Sequence, residues 1–173
     1  MKLWLIRDAY RKPRLTILMS RFELTLRMLA IAAAVIVPII CILTQGLLTS
    51  YSQYWETPIQ PLFILSNVTT AYYFFEYDRW KPSACLLLLL TAFSVSAFIS
   101  IHNILAVLFF ISCSIALIRS NHFSWTVIPY TVSLLLIPYN MMIAETLAIG
   151  VLSLYHGLIL FKIKRINKQK QKI

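Results

Sequence analysis

The most informative segment of this sequence lies between Lys81 and Arg119 and reads PSACLLLLLTAFSVSAFISIHNILAVLFFISCSIALI. Its 37 residues contain no Lys, Arg, Asp or Glu. A single helix of this length would be roughly 55 Å long, whereas the hydrocarbon core of a bilayer is about 30 Å thick. We therefore expect two antiparallel membrane-spanning helices, 83–101 and 103–118, with the polar pair His102-Asn103 at the turn between them.

Similar apolar runs occupy most of the remaining chain. Residues 28–50 and 59–75 are uncharged, and Glu145 is the only charged residue between Arg119 and Lys162. Pro and Asn favour turns, so the segment 138–140 divides this last run in two. The predicted spans outside the central segment are therefore 28–50, 59–75, 123–139 and 141–161. With the two central spans the count is six, and four spans with re-entrant segments are the alternative.

The composition agrees with an integral membrane protein. Of the 173 residues, 60% are hydrophobic and 13% are charged, and the mean hydropathy is +0.77. Such a chain is too apolar to be disordered or to form an ordinary soluble domain, and it is too short for a second domain. We predict an all-α polytopic membrane protein that forms a single bundle of six helices.

The basic residues predict the orientation of the bundle. The chain has 16 Lys and Arg against 6 Asp and Glu, a formal net charge of +10. With six spans, all 16 fall on one side of the membrane, in residues 1–27, 76–82, 119–122 and 162–173. Because cytoplasmic segments of membrane proteins are rich in Lys and Arg, we expect both termini in the cytoplasm.

The two terminal segments are expected to lie on the membrane surface. Residues 1–27 form a basic amphipathic segment, 28–161 form the transmembrane domain, and 162–173 form a basic tail. Segments of this kind bind anionic lipid headgroups, so the positive charge indicates a membrane surface and no nucleic acid. The residues predicted to anchor the chain are Arg7, Arg11, Lys12, Arg14, Lys164 and Arg165.

Polar residues within the spans are the candidates for a ligand site. Glu145 is the only acidic residue inside a predicted span, and such a residue indicates function unless a partner offsets its cost. His102 is expected at a similar depth, below the outer surface, and is the obvious partner. The predicted ligand-binding set is Glu145, His102, Asn67, Asn103 and Asn140. The alternative is structural: Glu145 is protonated or holds two helices together by hydrogen bonds.

The sequence offers no catalytic residues and no cofactor or metal site. It lacks the GxGxxG, P-loop, HExxH and GxSxG motifs, and its three cysteines (Cys41, Cys85 and Cys113) have no CxxC spacing. His156 follows Glu145 by 11 residues, on nearly the same stripe of a helix. The two are about 16 Å apart along the axis, too far to share one ligand. We therefore expect His156 to be structural.

Two stretches resemble bacterial six-helix membrane proteins of unknown function in the DRAM/Frag/Sfk-like grouping. The first, HNILAVLFF, begins at His102 and resembles the start of their fourth helix. The second, ETLAIG, begins at Glu145 and resembles their last helix, although Thr146 stands where the family usually has Arg. The loop before His102 is also expected to be almost absent. The resemblance implies a six-helix bundle with His102 and Glu145 as shared polar positions. It implies no reaction.

Three functions remain open from the sequence. The first is a non-enzymatic membrane protein that binds lipid or belongs to a larger complex, with a protein partner or a second copy of itself. The second is a small carrier or lipid-binding module with a polar pocket near the outer face, around Glu145 and His102. The third and least favoured is an intramembrane hydrolase. The expected location is a bacterial cytoplasmic membrane.

Overall fold

The computed structural model of the chain describes residues 21–120 and 122–170, and every regular element in these ranges is helical. The six α-helices are α1 (Arg21–Gln45), α2 (Gln60–Phe75), α3 (Lys81–Ala92), α4 (Ile99–Ile118), α5 (Val127–Leu135) and α6 (Met141–Lys170). Short 3-10 helices at Tyr51–Glu56, Asp78–Trp80 and Ser124–Thr126 precede α2, α3 and α5. The prediction of an all-α chain is confirmed for these residues. Most of the predicted amphipathic segment, residues 1–20, lies outside them.

Among the helices of the described residues, three are long and apolar enough to cross a membrane, over Phe22–Gln45, Ile99–Ile118 and Met141–Arg165. The other three are shorter: α2 has 16 residues, α3 has 12 and α5 has 9. At about 1.5 Å per residue, α3 and α5 alone would not reach across a hydrocarbon core of about 30 Å. Length and apolar composition therefore suit three of the described helices to cross a membrane, and the six-span count stays a prediction.

The break in the central apolar segment lies earlier than the sequence predicts. Helix α3 ends at Ala92 and α4 begins at Ile99, so the non-helical connection is 93–98 and His102-Asn103 is inside α4. Side chains satisfy two of the connection's backbone N–H groups: Glu56 accepts from the N–H of Ser96 at 2.8 Å, and the hydroxyl of Ser94 accepts from that of Ala97 at 3.4 Å. The predicted turn at His102-Asn103 is therefore wrong, because these nearby acceptors allow the chain to leave the helix earlier.

Helix α1 begins seven residues before the predicted span 28–50 and ends five residues before the span does. Its end is explained by Gly46, which adopts a φ of +77°, a conformation that glycine accepts without steric cost. The N–H of Gly46 still donates to the carbonyl of Ile42 at 2.9 Å, and the Tyr54 hydroxyl donates to the Gly46 carbonyl at 2.6 Å. The connection that follows is therefore fixed against the end of α1.

The last two helices also differ in extent from the predicted spans 123–139 and 141–161. Helix α5 is shorter because the N–H groups of Leu136 and Ile137 bond to carbonyls three residues back, which tightens the chain ahead of Pro138. Helix α6 is longer and continues to Lys170. At about 1.5 Å per residue, its 30 residues extend beyond the hydrocarbon core, so part of the predicted basic tail is helical.

The six helices form a closed bundle with an apolar exterior. Successive helices pack against one another, and α6 also packs against α1. Large apolar side chains are exposed on all six helices, whereas the buried set includes Ser66, Ser83, Ser133, Glu145 and His156. The hydroxyl of the buried residue Ser83 on α3 lies 2.8 Å from that of the partly buried residue Ser112 on α4. A bundle with exposed apolar and buried polar side chains is suited to lipid rather than water.

Candidate functional site

One end of the bundle collects the basic residues. The guanidinium of Arg27 at the start of α1 lies 2.8 Å from the carboxylate of Glu76 after α2. The guanidinium of Arg79 donates to the main-chain carbonyl of Arg119 after α4. These contacts bring the segments that carry the basic residues together. The described Lys and Arg residues belong to them or to the end of α6: Arg21, Arg27, Arg79, Lys81, Arg119, Lys162, Lys164, Arg165, Lys168 and Lys170. We call this the basic end.

The opposite end is formed by the connections 46–59, 93–98 and 136–140, none of which contains Lys or Arg. Two carboxylates hold this end together. Glu56 accepts from the N–H of Ser96 at 2.8 Å, and Glu145 accepts from the N–H of Tyr51 at 2.5 Å. The second contact joins the start of α6 to the connection between α1 and α2.

Glu145 is a buried residue in the second turn of α6, with 7% of its surface exposed. Its hydrogen-bonding partner Tyr51 is the first residue of the 3-10 helix Tyr51–Glu56. The ring of Tyr51 packs against that of Tyr54 in the same helix and that of Phe63 on α2, at centroid distances of 5.6 Å and 5.1 Å. This packing fixes the N–H of Tyr51 toward the start of α6. The carboxyl group of Glu145 is therefore held at a defined position inside the bundle.

His102 lies on α4 and is buried, with 6% of its surface exposed. Its Nδ1 donates to the main-chain carbonyl of Phe93 at 2.7 Å, across the connection between α3 and α4. Among the described residues, no hydrogen bond or ion pair joins His102 to Glu145. His102, the partner predicted for Glu145, is therefore not hydrogen-bonded to it. Glu145 instead accepts from the main-chain N–H of Tyr51.

A cavity of about 120 Å³ lies inside the bundle and brings several predicted site residues together. It is lined by side chains from α1, α2, α3, α4 and α6. Glu145, His102 and Asn67 all line the cavity. Tyr51 and Ser52, in the connection between α1 and α2, line it as well. Most of the wall is apolar and includes Ala30, Ala34, Leu87, Ala106, Phe109 and Phe110. The arrangement is an apolar chamber with fixed polar groups on its wall.

The other two residues of the predicted set lie elsewhere. Asn103 is exposed on α4 and does not line the cavity. Asn140 is also exposed, and its side-chain oxygen accepts from the N–H of Ile143 at 3.0 Å. Asn140 thus caps the start of α6, which is a common structural role of Asn at a helix N-terminus.

His156 also lines the cavity, about three turns along α6 from Glu145. It is 2% exposed and lies among the rings of five aromatic residues: Tyr73, Phe74, Tyr77, Trp80 and Tyr155. Its Nδ1 lies 3.2 Å from the hydroxyl of Tyr73, while its Nε2 has no hydrogen-bond partner among the described residues. The sequence predicted a structural role for His156. The sequence did hold a signal that His156 and Glu145 face the same cavity, because their 11-residue spacing puts them on one face of α6. Ile149, Leu152 and Ser153 lie on that face and also line the cavity.

The described residues contain no cluster of three or more His, Cys, Asp or Glu side chains that could hold a metal ion. The three cysteines are unpaired: Cys41 and Cys113 are buried, and Cys85 is exposed. Of the predicted anchoring residues, Lys164 and Arg165 are exposed at the end of α6. Arg7, Arg11, Lys12 and Arg14 lie outside the described residues.

Comparison with protein-family models, curated proteins and solved structures finds no match to this chain. The resemblance to the DRAM/Frag/Sfk-like grouping therefore remains a prediction. One departure from the family's pattern was an almost absent loop before His102. The structure instead has a six-residue connection, 93–98, before α4.

Proposed function

We propose that this chain is a non-enzymatic, six-span membrane protein that binds a small amphiphile in its central cavity. The three shorter helices expose large apolar side chains as the three longer ones do. Examples are Leu65 on α2, Leu89 on α3, and Ile128 and Leu135 on α5. Exposed residues of this kind are stable in contact with lipid and costly in contact with water. In this proposal α2, α3 and α5, each extended by the turns that flank it, cross the membrane beside the three longer helices. The total is then six crossings.

The proposed orientation has the basic end in the cytoplasm and the end that carries Glu56 and Glu145 outside. Basic residues on one side are typical of the cytoplasmic face, where anionic lipids attract them. The exposed Lys164 and Arg165 and the basic N-terminal segment would lie against that face. A bacterial cytoplasmic membrane is the location that we propose.

The observation that carries the proposed binding function is the position of Glu145 on the wall of an apolar cavity. A buried carboxyl group favours a ligand head that donates hydrogen bonds, such as an amine or a hydroxyl, and it disfavours an anionic head. Asn67 and His102 offer further polar contacts on the same wall. The apolar surface of the remaining wall suits a hydrocarbon body. The ligand class is therefore a cationic or neutral amphiphile.

The size of the cavity restricts how much of such a ligand it can enclose. An engineered apolar cavity of roughly 150 Å³ holds a molecule of benzene. The cavity here, at about 120 Å³, is slightly smaller. It would enclose the head and the first part of a chain, and the remainder of a long-chain lipid would extend between helices into the bilayer.

Binding is proposed over hydrolysis because the described residues show no activated nucleophile at the cavity. A Ser or Cys nucleophile requires a hydrogen-bonded base. Ser66 and Ser153 line the cavity, but no Ser or Cys side chain in the described ranges hydrogen-bonds to an imidazole. The imidazole of His156 contacts the Tyr73 hydroxyl instead.

The proposal is tested by photolabelling the purified protein in nanodiscs with a dodecylamine that carries a diazirine on its chain. Wild-type protein should be labelled on residues of α2, α4 and α6 that line the cavity. Glu145→Gln should reduce the labelling about tenfold or more, because a charge-assisted hydrogen bond contributes about 1.5–3 kcal/mol. The same probe with a carboxylate in place of the amine should label the wild type weakly.

The matched control is Glu56→Gln, which removes the same charge from an exposed residue at the same end of the bundle. This variant should keep wild-type labelling. Equal losses in Glu145→Gln and Glu56→Gln would show a non-specific charge effect and would contradict binding in the cavity. Labelling restricted to the lipid-facing surface would contradict it as well.

A further inference from the structure

A chain of hydrogen-bonding side chains connects the cavity to the basic end of the bundle. It begins at His156, whose Nδ1 lies 3.2 Å from the hydroxyl of Tyr73. The Tyr73 hydroxyl donates to that of Tyr77 at 3.2 Å. Tyr77 is partly exposed at the basic end, where Arg27 also donates to its hydroxyl at 3.3 Å. Each of these three residues carries a group that can accept one proton and release another.

The directions of these hydrogen bonds determine which nitrogen of His156 is free. A phenol has a single proton, and that of Tyr73 is directed to Tyr77. The Tyr73 oxygen must therefore accept from Nδ1–H of His156, which leaves Nε2 as an acceptor. Nε2 is buried and has no hydrogen-bond partner among the described residues. Buried polar atoms are normally hydrogen-bonded. Nε2 therefore needs a hydrogen-bond donor, and the described residues do not supply one.

The cavity extends from His156 toward the opposite end of the bundle. His156 and Glu145 line the same cavity, about 16 Å apart along α6. Ser66, Asn67, Thr70 and Ser153 place further polar groups on the wall between them or beside them. A cavity of about 120 Å³ with polar groups on its wall has room for several water molecules. Glu145 and Ser52 bring the cavity to the end that lacks basic residues.

We propose that the protein conducts protons through this cavity and along His156, Tyr73 and Tyr77 to the basic end. A hydronium ion in the cavity gives a proton to Nε2, and Nδ1 passes its own proton to the Tyr73 oxygen. In the same concerted step Tyr73 releases its phenolic proton to Tyr77, and Tyr77 releases its own proton to water at the basic end, so that neither phenol holds two protons. One proton has entered and one has left. Rotation of the imidazole and of the two hydroxyls restores the starting hydrogen bonds.

The surroundings of His156 make this path selective for protons. The side chains packed around the imidazole are Tyr73, Phe74, Tyr77, Trp80 and Tyr155, and none of them carries a formal charge. The nearest charged groups on the path are Arg27 at Tyr77 and Glu76, which pairs with Arg27 at 2.8 Å. A hydrated metal ion could not pass between packed rings, whereas a proton needs only hydrogen-bonded atoms. We therefore expect no conduction of sodium or potassium.

The test uses the full-length protein in sealed phosphatidylethanolamine–phosphatidylglycerol vesicles that contain the pH indicator pyranine. A potassium diffusion potential set by valinomycin drives proton entry, and the initial rate of internal acidification is measured. Wild-type vesicles should acidify several-fold faster than protein-free vesicles. Tyr73→Phe, which removes one oxygen atom from the chain, should lower the protein-dependent rate at least tenfold.

The control is Tyr72→Phe, which makes the same change on the adjacent residue, 61% exposed on the outside of α2. It should conduct at the wild-type rate. Wild-type vesicles that are as tight as protein-free vesicles would overturn the proposal, and so would Tyr73→Phe vesicles that conduct like the wild type. Loss of conduction in both variants would also overturn it, since the effect would then not depend on the path.

A second variant guards against misfolding of Tyr73→Phe. If that variant melts earlier than the wild type in detergent, Tyr77→Phe replaces it, because Tyr77 is partly exposed and a single oxygen is again removed. Tyr77→Phe should also lower the rate at least tenfold, and a wild-type rate in this variant would overturn the proposal. Neither hydroxyl is among the groups proposed to hold the ligand head, so a failure of conduction would leave the proposal of amphiphile binding standing. The assay vesicles contain no added amine amphiphile that could occupy the cavity.

Discussion

The carboxyl group of Glu145 accepts a hydrogen bond of 2.5 Å from the main-chain N–H of Tyr51, a residue 94 positions earlier in the chain. The contact joins the start of α6 to the connection between α1 and α2, at the end of the bundle that lacks Lys and Arg. Helix α6 also packs along α1, so the last helix of the bundle contacts the first. The same carboxyl group forms part of the cavity wall, so one residue contributes to both the structure and the proposed site.

Replacement of Glu145 should therefore reduce the stability of the bundle according to what the new side chain can accept. Glu145→Ala leaves the N–H of Tyr51 without its acceptor and should lower the free energy of unfolding by about 1–3 kcal/mol. Glu145→Gln keeps an acceptor oxygen and should lower it by less. Thermal unfolding in detergent checks the order wild type, Gln, Ala. An alanine variant as stable as the wild type would show that the hydrogen bond to Tyr51 contributes nothing.

The six-span topology predicts which positions a membrane-impermeant maleimide can reach on intact cells. In a background without the natural cysteines, Pro58→Cys, Ala97→Cys and Tyr139→Cys should be labelled from outside. Each is exposed in a connection at the end that lacks basic residues, which we propose faces outward. Lys81→Cys and Lys164→Cys, both exposed at the basic end, should react only after the membrane is opened. Labelling of Lys81→Cys on intact cells, or failure to label any of the three outer positions from outside, would contradict the six-span topology.

The basic end should affect the titration of His122, which lies in the connection between α4 and α5. Partial burial lowers the pKa of His122 below its ordinary value of 6.5, and the positive charges of Lys162 and Arg79 lower it further. Each charge disfavours the imidazolium, so Lys162→Gln should raise the pKa relative to the wild type. The measurement is a histidine NMR titration in detergent, with the His122 signal assigned from its absence in His122→Gln. A pKa that falls or does not change in Lys162→Gln would place the end of α6 away from this connection.

The helical class and the positions of several helices could be predicted from the sequence because charged residues are so rare inside the apolar runs. The uncharged segment between Lys81 and Arg119 is too long for one span, and it does contain two helices. The position of the break was predicted wrongly. His102 looks like a turn residue in sequence, but its imidazole binds the carbonyl of Phe93 nine residues earlier, from within α4. Contacts of this kind depend on the tertiary fold and leave no local signal.

The candidate site shows the same division between local and tertiary information. Glu145, His102 and Asn67 were singled out because polar residues are rare and costly in a membrane, and the structure places all three on one cavity. Their roles as ligand contacts remain a prediction. The aromatic surroundings of His156 were not foreseen. Tyr73, Trp80 and Tyr155 come from three separate segments, and no spacing in the sequence shows that their rings meet.

The most direct test of the central claim, that the cavity is the binding site, is to fill the cavity and measure photolabelling by the diazirine-bearing dodecylamine. Ala106 lines the cavity and is 8% exposed, whereas its neighbour Val107 is 58% exposed on the outside of α4. Ala106→Phe should occupy the space needed by the probe and reduce labelling at least tenfold, while Val107→Phe should leave it unchanged. Labelling of Ala106→Phe at the wild-type level, in protein that melts as the wild type does, would contradict the account.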